Sequence, residues 1–99
     1  MKLFGNIYSD QRTVQPGSPE IFEIPKSGRT KVAVNAGVAN PANVEFTCSP
    51  PPNVKDGSAL WFTWPAGQVS APTIDGSLAT LTAVRVTATL QPVEAAVAV

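Results

Sequence analysis

The run Thr80-Leu81-Thr82-Ala83-Val84-Arg85-Val86-Thr87-Ala88-Thr89-Leu90 decides how the rest of the chain is read. Successive side chains of a β-strand point to opposite faces. Here Val84, Val86 and Leu90 share one side, and Arg85 falls on the other. That alternation predicts a strand with a core face and an exposed face.

Working outward, Gln91–Pro92 breaks this strand, and Val93 to Val99 predicts a final one. After Glu94 that segment carries only Ala and Val, so it needs a partner, either within its own sheet or on another subunit. Upstream, Leu60-Trp61-Phe62-Thr63-Trp64 is dominated by residues that favour strands. Leu60, Phe62 and Trp64 form its predicted core set, with Trp61 and Thr63 facing outward, and Pro65–Ala66–Gly67 ends it. Val44, Phe46 and Cys48 point one way in an earlier strand, and Glu45 and Thr47 the other. This parity predicts Cys48 to be a small buried apolar residue. Val44–Ser49 and Ala59–Trp64 form either a long-looped antiparallel pair or a crossing between two sheets.

Shorter strands are predicted at Ile21–Ile24 and Thr30–Val34. Pro50–Pro51–Pro52 must leave the sheet, having no backbone donors, and Asp56–Gly57 and Asp75–Gly76 read as turns. No window shows helical periodicity with caps. Close-spaced short strands with Pro- and Gly-rich turns predict an all-β fold, an antiparallel β-sandwich or a jelly-roll-like small barrel. Residues 1–19 read as an N-terminal edge strand or an extended arm, and 20–99 as the sandwich domain.

Composition narrows function. The 99 residues hold seven basic and seven acidic side chains and no histidine. With charges balanced and only Lys26, Arg29 and Lys31 clustered, nucleic acid and anionic membrane are not expected partners. Charged residues make up 14% of the chain, about half the usual share, which suits a surface held against other protein. No apolar run reaches the roughly 18 residues of a membrane span. No signal peptide is read at the start, so synthesis in the cytoplasm is expected.

Chemistry finds little support. Histidine is the side chain that most readily titrates near neutral pH, and without it a serine or cysteine nucleophile lacks its usual base. One cysteine supplies neither a disulfide nor a zinc ligand set. The carboxylates Asp10, Glu20, Glu23, Glu45, Asp56, Asp75 and Glu94 are dispersed. Neither catalytic residues nor a metal or cofactor site is expected. Contact residues are Leu3, Phe4 and Tyr8 in the first section, Trp61 on its outward face, and Val97 and Val99 at the end. Trp61 can anchor a protein interface, offer a sugar platform, or lie under a cation such as Arg85.

The stretches Val44–Pro51, Asp56–Gly67 and Ala83–Thr89 resemble small β-rich structural proteins of tailed-phage virions, of the type that decorates or cements capsids. The resemblance implies a virion protein present in many copies, often as homo-oligomeric trimers. It would be seated on the major capsid protein and strengthen the shell. A tail or fibre component is the alternative within virions, and a carbohydrate-binding β-sandwich module the alternative from another class.

Overall fold

A computed structural model describes residues 2–4, 7–24, 30–69, 73–76 and 81–99; side chains at 2–4, 7–8, 65–67 and 73–76 lie outside that description. In chain order the described strands are β1 (Lys2–Phe4), β2 (Ile7–Val14), β3 (Glu20–Glu23), β4 (Lys31–Asn35) and β5 (Ala42–Thr47). A short helix α1 (Pro51–Asp56) precedes β6 (Phe62–Val69), β7 (Thr73–Gly76), β8 (Ala83–Ala88) and β9 (Val93–Ala98).

The pairings are nested. β5 pairs with β6, β4 with β7, β3 with β8 and β2 with β9, all antiparallel. The chain is therefore one long antiparallel ribbon, turned at the β5–β6 connection and rolled so that its segments fall into two sheets. The joins β9–β4 and β8–β5 close the roll. One sheet has the order β1-β2-β9-β4-β7 and the other β3-β8-β5-β6. This is the jelly-roll arrangement of the β-sandwich, with β1 added at one edge. The all-β expectation is met. Of the two expected strands, Val44–Thr47 lies in β5 and Phe62–Trp64 in β6, an antiparallel pair, while Cys48–Ser49 and Ala59–Trp61 lie outside them.

Each sheet contains an interior strand whose core face carries only valine and alanine: Val84, Val86 and Ala88 in β8, and Val93, Ala95 and Val97 in β9. In β8, Val84 and Val86 are fully buried between β3 and β5. In β9, Val93, Ala95 and Val97 are buried while Glu94 is exposed, and the strand is paired on both sides. The apolar end of the chain thus finds its partners within its own sheet. Burying a valine contributes roughly 1.5–3 kcal/mol, so many small residues supply this core. Phe22 and Trp64 are its only aromatic members among the described residues. Where β2 and β3 meet, Arg12 reaches 4.7 Å from the centroid of the Phe22 ring and donates to the Ile21 carbonyl at 3.0 Å. It also pairs with Asp10 at 2.8 Å and Glu20 at 3.3 Å.

Several sequence expectations are corrected. The triple proline leaves the sheet as expected, but it opens a short helix that was not expected, because Pro51 and Pro52 occupy its first turn, where missing N–H groups cost nothing. Six residues are too few to show periodicity. Gly57 at φ 84° ends the helix in the left-handed region. Asp75 and Gly76 are paired residues of β7, opposite Val32 and Lys31, and form no turn. Cys48 is exposed: β5 ends at the buried Thr47, so the strand's parity no longer governs the next residue. Leu90 is 67% exposed because β8 ends at Ala88 and the Thr89 hydroxyl donates to the Pro41 carbonyl, turning the chain.

Within β6, Phe62 lies opposite Phe46 and Thr63 opposite Glu45, as alternation predicts. Only Trp64 of the expected core set is buried, since β6 is an edge and Leu60 precedes it. Nor does Pro65 end the strand. Five steps along β6, Thr63 to Gln68, answer two along β5, Asn43 to Glu45, so the proline sits in a wide bulge. Edge strands and bulges are where a missing donor is tolerated.

Candidate functional site

Two kinds of surface stand out: a polar face on the β3-β8-β5-β6 sheet and apolar groups at the two ends of the roll. Strand register builds the first. Thr87 lies opposite Asn43, which lies opposite Gln68. In the next row Ile21 faces Arg85, Arg85 faces Glu45, and Glu45 faces Thr63. Residues directly opposite share a face, so both rows point away from the core. Between them lies a shallow depression of about 380 Å³ lined by Asn43, Val44, Glu45, Thr63 and Thr87.

Arg85 and Glu45 hold this face together. Arg85 Nε donates to Glu45 Oε1 at 3.1 Å and Nη2 to Oε2 at 3.0 Å, a two-pronged pair. The same guanidinium lies 4.4 Å from the centroid of the Trp61 ring. Further along, Ala83 faces Thr47, and both are fully buried although alternation turns them outward. That end of the face is therefore roofed, and Trp61, the last residue before β6, stands at the roofed end.

The β5–β6 connection is fixed by its own hydrogen bonds. The backbone N–H groups of Ser58 and Ala59 donate to the Asn53 carbonyl at 2.9 and 3.1 Å, and Leu60 N donates to Ser49 Oγ at 2.9 Å. Asp56 accepts from both the hydroxyl and the backbone N–H of Ser58, which holds its carboxyl below the usual carboxylate range. Several carboxylates considered from sequence are thus held by neighbours: Glu45 by Arg85, Asp10 and Glu20 by Arg12, and Glu94 by the Thr13 hydroxyl at 2.6 Å. Among the described residues no three His, Cys, Asp or Glu side chains gather to hold a metal ion, and no helix is long and apolar enough to cross a membrane.

The exposed large apolar side chains among the described residues are Val38 at 89%, Leu60 at 68%, Leu90 at 67% and Phe62 at 55%. They fall into two pairs. Val38 lies in the β4–β5 connection and Leu90 in the β8–β9 connection, which an antiparallel roll puts at one end. Asn40 ties these connections by accepting from Gln91 N at 2.8 Å and donating to the Pro92 carbonyl at 3.4 Å. Leu60 and Phe62 belong to the β5–β6 side, at the opposite end. Phe62 is 5.9 Å from the Phe46 ring, which stands edge-on to Trp64 at 5.8 Å.

Of the contact residues read from sequence, Trp61 lies on the outward face against Arg85. Val97 is inside the core and presents nothing to a neighbour, while Val99 is half-buried just past β9. The side chains of Leu3, Phe4 and Tyr8 lie outside the described residues. Nothing in the local sequence marks Asn43, Thr63 and Thr87 as a group, or Val38, Leu60 and Leu90 as surface residues. Parity already turned Thr63 and Thr87 outward, but only the pairing register brings them beside Asn43. Comparison with protein-family models, curated proteins and solved structures finds no match.

Proposed function

We propose that this chain is a structural protein of a virion, a capsid decoration or cement protein that bridges neighbouring subunits of the major capsid protein. The observation that carries this reading is the separation of its exposed apolar side chains into two patches, Val38 with Leu90 and Leu60 with Phe62, at opposite ends of the roll. A protein that bridges needs two places to be gripped, and exposed apolar groups are the usual grips. The fold agrees by analogy, since jelly rolls serve as viral capsid domains and also as lectins.

The charge pattern of the sheet edges points the same way. Lys2 marks β1, Glu20 and Glu23 mark β3, and Asp75 marks β7; Phe62–Val69 of β6 carries no charge. Charged residues on edges discourage pairing with other chains. β6 lacks that guard beside Phe62, where contact with a shell subunit or with another copy in a trimer would fall. Many such contacts, each modest, add up across a symmetric shell. Shells assembled with and without the protein and then heated test the role: the decorated shells rupture at a higher temperature, and equal rupture temperatures would refute it.

A further inference from the structure

We propose that the open half of the β3-β8-β5-β6 face is a binding site for a neutral carbohydrate, one or two hexopyranose units of a glycan. The site is the depression lined by Asn43, Glu45, Thr63 and Thr87, with Arg85 and Trp61 at its roofed end. This inference is independent of the shell-bridging reading, because none of these residues lies in either apolar patch.

Three features define the ligand class. First, the groups offered to it are mixed donors and acceptors: an amide from Asn43 and hydroxyls from Thr63 and Thr87. Among the described residues no hydrogen bond occupies these three side chains. A sugar ring, whose every hydroxyl both donates and accepts, matches such a surface better than a ligand of one polarity. Second, the charges beside the depression are paired. Arg85 is spent on Glu45 through two hydrogen bonds, so neither awaits an ion of opposite charge; the exposed Glu23 lies a row further on, opposite Ala83. A neutral ligand follows. Third, the volume of about 380 Å³ sits at the low end of the roughly 300–1,000 Å³ of small-molecule sites. That leaves room for a short stretch of glycan in an open, water-filled trough.

The floor is also preorganised. Asn43 and Thr87 face each other on the paired strands β5 and β8, and Glu45 is held by Arg85, itself held against Trp61. The Glu45, Arg85 and Trp61 side chains therefore have little freedom left to lose on binding, which favours even a small ligand. With few contacts and no deep burial, affinity in the millimolar range is expected.

The test is a titration of the isotope-labelled protein, followed by amide NMR, with neutral disaccharides and trisaccharides of glucose, galactose, mannose and N-acetylglucosamine. At least one shifts the Asn43 and Thr87 resonances saturably, and the Trp61 indole with them. Asn43→Ala and Thr87→Val, both outward-facing, each weaken that binding about three- to tenfold, while spectra elsewhere confirm an intact fold. No saturable shift up to about 20 mM sugar would overturn the proposal. So would shifts that survive in both variants, or tighter binding of a sulfated disaccharide.

Discussion

Arg85 and Glu45 meet across the β8–β5 pair through two hydrogen bonds of 3.1 and 3.0 Å, and the guanidinium that makes them also covers the Trp61 ring at 4.4 Å. One side chain therefore fastens the connection before β6 to the centre of its sheet. Both partners of the ion pair are partly exposed, so the pair itself contributes only about 0.2–1 kcal/mol. The stacking adds about 0.5–1 kcal/mol.

Arg85→Lys keeps the charge but loses the planar fork and the stacked guanidinium. It is expected to lower unfolding free energy by about 1 kcal/mol in urea titrations. In a double-mutant cycle with Glu45→Gln the coupling is about 0.5–1 kcal/mol and falls with added salt. Full additivity would mean that the observed pair contributes no stability.

Phe22 on β3 and Phe62 on β6, the two edge strands of one sheet, should respond differently to truncation. Phe22 is fully buried, so Phe22→Ala costs about 3–5 kcal/mol in the same assay. Phe62 is half exposed, and Phe62→Ala costs about 1 kcal/mol or less. A large loss at Phe62 would show that its ring is part of the core.

Gly57 adopts φ 84° with open space around the position of a Cβ. A side chain there meets no clash and only backbone strain. Gly57→Ala is therefore predicted to cost about 1–2 kcal/mol, and Gly57→Asn less, because asparagine tolerates the left-handed region. Equal losses for both would contradict this account.

Asp56 supplies a pH prediction with a definite sign. Its folded-state pKa is depressed by the hydroxyl and amide of Ser58. The stabilisation is therefore present above the unfolded pKa and is lost as pH falls through the lower, folded one. NMR titration should find the Asp56 carboxyl ionising below the ordinary value of about 3.9. Ser58→Ala, which removes the hydroxyl donor, returns it part of the way. An unchanged titration in Ser58→Ala would rule out the hydroxyl as the cause.

Much of this architecture was legible because the central strands obey parity. Val84 and Val86 against Arg85 announced β8, and Phe62 and Thr63 took the faces their alternation assigned. Failures came where a local rule stopped at an end. Cys48 and Leu90 lie one and two residues past the ends of β5 and β8, where the chain has turned. Phe62 takes the core side, opposite Phe46, yet stays exposed because edge position is a property of the assembled sheet, and Leu60 lies before the strand begins. The polar face was legible only in part, for the same reason. Asn43 and Thr87 are 44 residues apart, and nothing local in either strand specifies that they meet.

The central claim, bridging through two ends, is tested most directly by adding the protein back to shells that lack it and measuring both binding and rupture temperature. The wild type should bind and raise the rupture temperature. Val38→Asp with Leu90→Asp, or Leu60→Asp with Phe62→Asp, should leave the protein folded and able to bind by its other end, yet without the thermal gain. If either disabled form protects shells as well as the wild type, a single contact suffices and the two-ended account is wrong.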